Sequence, residues 1–155
     1  MKLNALFAAG LLLAPSVASA DEVKWFVLPG ETEGAVLIYG TPDSGYAPLS
    51  FRCNGKGGAL DVVIEHEPIN AVDGVKVEAL LSAGDIEIPV ATTGTRLDMD
   101  DLFILEGQTP LDKRFQDMIT FSGPLIMTFE DGAEEHPLEG ASDPAREFFK
   151  LCGAK

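Results

Sequence analysis

Apolar residues in this chain recur chiefly at every second position, in short runs broken by clusters of Gly, Pro, Asp and Asn. That period is the one a half-buried strand shows, because successive side chains leave a strand on opposite faces. Val23–Leu28 and Ala35–Tyr39 read as a first pair of strands, joined through the turn-forming stretch from Pro29 to Gly34. Leu49, Phe51 and Cys53 alternate next. Beyond the turn from Asn54 to Gly58 come Leu60, Val62 and Ile64, with Asp61 and Glu65 facing the other way. Val75, Val77, Ala79 and Leu81 alternate again, as do Ile86, Ile88 and Val90, across an Ala83-Gly84-Asp85 hairpin turn. Pro89 cannot donate a ladder hydrogen bond, which predicts an edge position for its strand. Leu102–Leu105 and Leu125–Phe129 bring the expectation to roughly seven or eight strands.

Two segments switch to a period near 3.6. Leu111, Phe115, Met118 and Ile119 share one helical face, and Thr109 with Pro110 predicts the N-cap and first residue of that helix. Ala145, Phe148, Phe149 and Cys152 form a second stripe, with Asp143 and Pro144 predicted to start the helix and Gly153 to end it. The fold class expected is mainly β, a β-rich α+β fold: an antiparallel sandwich or a partly open barrel with two short helices on one face or closing one end. The acidic stretch Glu130–Glu139 is expected to be its most mobile part.

The N-terminus follows a different logic. Lys2, an apolar run from Ala5 to Ala14, and Ala18-Ser19-Ala20 match a secretory signal peptide over residues 1–20, cleaved after Ala20. The run is about half the roughly 20 residues that cross a bilayer. These features predict one β-rich domain over residues 21–155, located in the periplasm or secreted, without stable membrane insertion.

Charge narrows the partners. The formal net charge is −14, and loss of Lys2 with the leader makes it −15. Phosphate backbones and anionic lipids require clustered Lys or Arg, and the nearest approach to a cluster is Lys113-Arg114, so nucleic acid is not expected as a partner. A basic protein or cations suit the surplus of acid, which also keeps an exported protein soluble. Oligomeric state has no signature here.

Export also gives Cys53 and Cys152 an oxidising compartment. Each falls on the inward side of its own element, one on a strand and one on a helix. A disulfide pinning the last helix to the sheet is therefore expected.

Catalytic signatures are missing. The only histidines are His66 and His136, and no Gly-x-Ser-x-Gly elbow is present. Ser44 in Pro42-Asp43-Ser44-Gly45 reads as a turn residue. Glu65-His66-Glu67 and Glu134-Glu135-His136 lack a second His at ligand spacing, and on a continuing strand Glu65 and Glu67 would share one face with His66 on the other. Counted from Asp98, the sixth and twelfth places of a calcium loop hold Phe103 and Thr109 instead of Gly and Glu. Gly55-Lys56-Gly57-Gly58 is a turn and no phosphate loop. No catalytic, cofactor-binding or metal-ligating residue is assigned. Trp25 reads as a core residue of the first strand, with partner anchoring as its other use.

Phe51-Arg52-Cys53, Leu60-Asp61-Val62, Thr93-Gly94-Thr95 and Phe103–Gly107 resemble the C-type lysozyme inhibitors, which are small exported barrels. That family blocks lysozyme through conserved Ser and Lys regions. Thr93 stands here in place of the Ser and Glu106 in place of the Lys. The wider layout, carried by Trp25, Leu49–Cys53, Leu125–Phe129 and Phe148–Cys152, resembles exported proteobacterial proteins of unknown function and type VI secretion accessory proteins of the VasI kind. The resemblance implies a non-catalytic module. The function expected is a periplasmic binding or accessory protein acting on an envelope protein, in one form an inhibitor of a basic envelope enzyme. The rivals are a small hydrolase using acidic residues and a His, and a weak cation binder.

Overall fold

The computed structural model describes residues 22–31, 33–98 and 101–154. The signal-peptide reading of residues 1–20, and Met99 and Asp100 of the acidic run, lie outside them. Among the described residues nine strands form a single antiparallel sheet: β1 (Lys24–Pro29), β2 (Ala35–Gly40), β3 (Leu49–Cys53), β4 (Ala59–Glu65), β5 (Lys76–Ala83), β6 (Ile86–Leu97), β7 (Leu102–Pro110), β8 (Pro124–Phe129) and β9 (Gly132–Pro137). The same residues hold two helices, α1 (Lys113–Ile119) and α2 (Ser142–Leu151). The strand order is β1-β2-β3-β4-β7-β6-β5-β8-β9, and the sheet curls into a partly open barrel, which decides between the two architectures expected. No described helix is long and apolar enough to cross a membrane.

Alternation places the core on the inner face. Leu49 and Phe51 of β3, Leu60, Val62 and Ile64 of β4, and Leu125 and Met127 of β8 are fully buried. The helices close the concave side, α2 packing against β1 and β2 and α1 against β5 and β6. Phe115 of α1 meets Phe51 edge to face at 4.9 Å, an arrangement that adds roughly 1 kcal/mol to the burial itself.

The disulfide is formed between Cys53 and Cys152, with Cα atoms 5.7 Å apart and a sequence separation of 99. The end of α2 lies against the turn after β3, where Gly57 N–H donates to the Cys152 carbonyl at 2.9 Å. Gly153, at φ +66°, ends the helix as expected, and Ala154 N–H returns to the Phe149 carbonyl at 3.0 Å.

Four expectations are corrected. Strand β6 is not an edge, since β5 and β7 flank it, but its ladder to β7 covers only Thr92–Leu97. Pro89, opposite Leu80, thus has a registered neighbour on one side only. Thr109 and Pro110 belong to β7, opposite Leu60 and Ala59, and the cap of α1 is Asp112, whose carboxylate accepts from Phe115 N–H at 3.0 Å. Helix α2 begins at Ser142 after Ala141, so Asp143 and Pro144 lie in its first turn; the amides there have no intrahelical acceptor, and a proline is tolerated throughout. Finally, Glu130–Glu139 is no loose segment, because it contains β9, registered along β8 from Phe129↔Gly132 to Pro124↔Pro137.

Candidate functional site

The β4–β5 connection, residues 66–75, is tied down at both legs. His66 leaves β4 with its N–H on the Phe103 carbonyl at 3.1 Å, and its ring lies stacked on Phe129, centroids 3.8 Å apart and planes within 10°. Its Nδ1 is 2.8 Å from Glu134 Oε1 and its Nε2 3.0 Å from Asp131 Oδ1. A carboxylate only accepts, so both contacts are hydrogen bonds when both ring nitrogens carry protons. Asp131 also uses its second oxygen, which accepts from Ile69 N–H at 3.1 Å. One carboxylate thereby joins the His66 ring to the loop backbone.

The far leg is held from β6. Asp73 Oδ1 accepts from Arg96 N–H at 2.8 Å, while Gly74 N–H donates to the Gly94 carbonyl and Gly94 N–H to the Val75 carbonyl, both at 2.8 Å. The Arg96 guanidinium pairs with Glu67 and with Asp101 and lies over the Phe103 ring at 5.3 Å. At Gly94 there is no room for a Cβ, which would come within 2.4 Å of that ring.

Asp131 sits between opposing influences. Desolvation acts to raise its pKa; the hydrogen bond and charge of His66 and the N–H of Ile69 outweigh it and hold the carboxyl below its ordinary 3.8. His136 is the other half of the cluster. Its ring packs on Tyr39 at 5.0 Å, and its buried Nε2 lacks a hydrogen-bond partner, with Glu134 Oε2 at 3.7 Å. Burial pushes this imidazole below 6.5, with Glu134 acting in the opposite sense.

The expected motifs are thus redistributed. Glu65, His66 and Glu67 go to three different places, Glu65 accepting from Ala47 N–H at 3.3 Å and Glu67 pairing with Arg96. The two histidines, 70 positions apart in sequence, meet on opposite oxygens of Glu134. Sequence reading missed this because β9 carries no apolar alternation; the signal present was Glu134 and His136 at i and i+2, hence on one face of a strand. Among the described residues no group of three or more His, Cys, Asp or Glu is arranged to hold a metal ion. Ser44 serves its turn, donating to the Thr41 carbonyl at 2.8 Å and accepting from Tyr46 N–H at 3.1 Å. Compared with family models, curated proteins and solved structures, the chain matches none.

Thr93 and Glu106 are direct cross-strand partners in β6 and β7. They border a shallow polar basin of about 610 Å³ with Arg52, Asp61 and Gln108. Gly107 also lines it, at a place where the neighbouring strand comes so close that a Cβ would lie 2.7 Å from the Ala91 carbonyl oxygen. Trp25 is in the core at 4% exposure.

Proposed function

We propose that this chain is a non-catalytic binding or accessory protein of the cell envelope, with an inhibitor of a basic envelope enzyme as its concrete form. The observation that carries this reading is the use made of His66. A histidine acting as general base offers one free nitrogen to a nucleophile or water. Both nitrogens of His66 face carboxylates and one face of the ring is covered by Phe129, so the group works as a structural tie. What the tie holds is a loop in an acidic surface, on a chain of net charge −14. Such a field speeds encounter with a cationic protein and weakens as salt rises.

The test is titration of the mature protein into purified cationic cell-wall hydrolases, following turnover and association across a salt series. Stoichiometric loss of turnover, with association slowed at higher salt, is expected. Hydrolysis of a cell-wall or ester substrate by the protein alone, abolished in His66→Ala or His136→Ala, would replace the reading with a hydrolase.

A further inference from the structure

We infer that the tip of the β4–β5 loop, Ile69 and Val72, is the docking element, and that it takes a cationic protein whose apolar pocket is bordered by Lys or Arg; this rests on the binding-protein reading above. Ile69 is 83% and Val72 64% exposed, more than any other large apolar residue described. Exposed aliphatic side chains contribute nothing to the core, and a mobile loop would fold them inward at little cost. This loop is prevented from doing so. Asp131 holds the Ile69 amide, Val75 N–H closes a turn onto the Val72 carbonyl at 3.0 Å, and Asp73 holds the Arg96 amide. The backbone that presents the two side chains is therefore already held in place, which lowers the entropy cost of binding.

Beside the tip lies a groove of about 420 Å³, with Ile69, Val75 and Val77 as its apolar wall and Glu78, Glu130 and Asp131 among its polar residues. An apolar centre with a charged rim is the arrangement of a protein-binding hot spot. Here the groove carries three carboxylates, Glu78, Glu130 and Asp131, against one cation, Lys76, which donates to Thr93 Oγ1 at 2.6 Å; Arg96 nearby is paired with Glu67 and Asp101. Charge complementarity selects a basic partner and disfavours nucleic acid or an anionic membrane.

The test places a photo-reactive benzophenone side chain at Ile69, at Val72, and at the control positions Tyr46 and Phe121, which are 51% and 38% exposed. The full chain is irradiated in the cells that produce it, and adducts are identified by mass spectrometry. Adducts at Ile69 and Val72 but not at the controls, with one protein of basic isoelectric point, are expected. That protein, purified, should bind the unmodified chain in a salt-sensitive manner and bind the Ile69→Ser/Val72→Ser variant about 30-fold or more weakly, with the variant's melting temperature unchanged. Adducts only at Tyr46 or Phe121 would overturn the tip and leave the binding-protein reading standing. An acidic partner at the tip, or a second copy of this chain there, would overturn the inference. Absence of adducts at all four positions would count against both.

Discussion

Trp25 donates its indole N–H to the main-chain oxygen of Pro137 at 2.7 Å, and so ties the first strand of the sheet to the last. The two residues are 112 positions apart, and their strands share no ladder. Tyr39, tilted against Trp25 at 5.2 Å and against His136 at 5.0 Å, continues the same contact between β2 and β9. The curled sheet is thus drawn together by side chains where backbone pairing stops.

Trp25→Phe keeps an aromatic ring in the core and removes the donor. Loss of one hydrogen bond and of part of the buried indole should destabilise the protein by about 1–3 kcal/mol in chemical denaturation. A midpoint unchanged within error would mean that the sheet keeps its curl without this tie.

The Cys53–Cys152 bridge closes a loop with a sequence separation of 99. In the chain-entropy model, a bridge of that span stabilises by about 4–5 kcal/mol, a large fraction of what a small domain has. The purified protein should therefore weigh two hydrogens less than its reduced form, and reductant should lower its melting temperature sharply. An equal melting temperature with and without reductant would remove the bridge from the stability argument.

His66→Phe should preserve the stacking on Phe129 while deleting both carboxylate contacts. The loop loses one of its anchors and the core loses nothing, so local opening should become easier by about 1–3 kcal/mol without comparable global change. Amide hydrogen exchange separates the two: faster exchange at Ile69 and Val75 is expected, with β3 and β4 as protected as before. Uniformly faster exchange would show that His66 supports the whole fold.

Acid should destabilise the protein in two stages. His136 is held below 6.5 by burial, so the unfolded chain takes its proton first, and stability falls as pH drops below that value until the folded form also titrates. Asp131 is held below 3.8 chiefly by His66, against an opposing desolvation, so its contribution is complete above 3.8 and lost as pH falls through the folded value. Melting temperatures measured from pH 7 downward should decline throughout, and His136→Phe should flatten the upper part. A melting temperature that rises on acidification from pH 7 to pH 5 would contradict this assignment.

Most of the architecture was legible in the chain. Alternation in Leu49-Ser50-Phe51-Arg52-Cys53 and in Leu60–Ile64 located β3, β4 and their buried faces, and the 3.6-residue spacing of Ala145, Phe148 and Cys152 located the buried stripe of α2. Boundaries were less legible. Thr109-Pro110 carries a helix-start signal and still continues β7, because pairing with Leu60 and Ala59 outweighs a local preference of a few tenths of a kcal/mol per residue.

The sequence by itself determined the β-rich class, the two helices and the inward placement of both cysteines, since these follow from periods of 2 and 3.6 that burial imposes on neighbouring residues. Only the tertiary structure decided the strand order, the existence of β9, and the meeting of His66, Asp131, Glu134 and His136. Those depend on which distant segments pair. Strand β9, polar along its length, has no hydrophobic period to announce it; it forms because β8 offers it a complete ladder of backbone partners, and the histidine–carboxylate cluster exists only where that ladder places it.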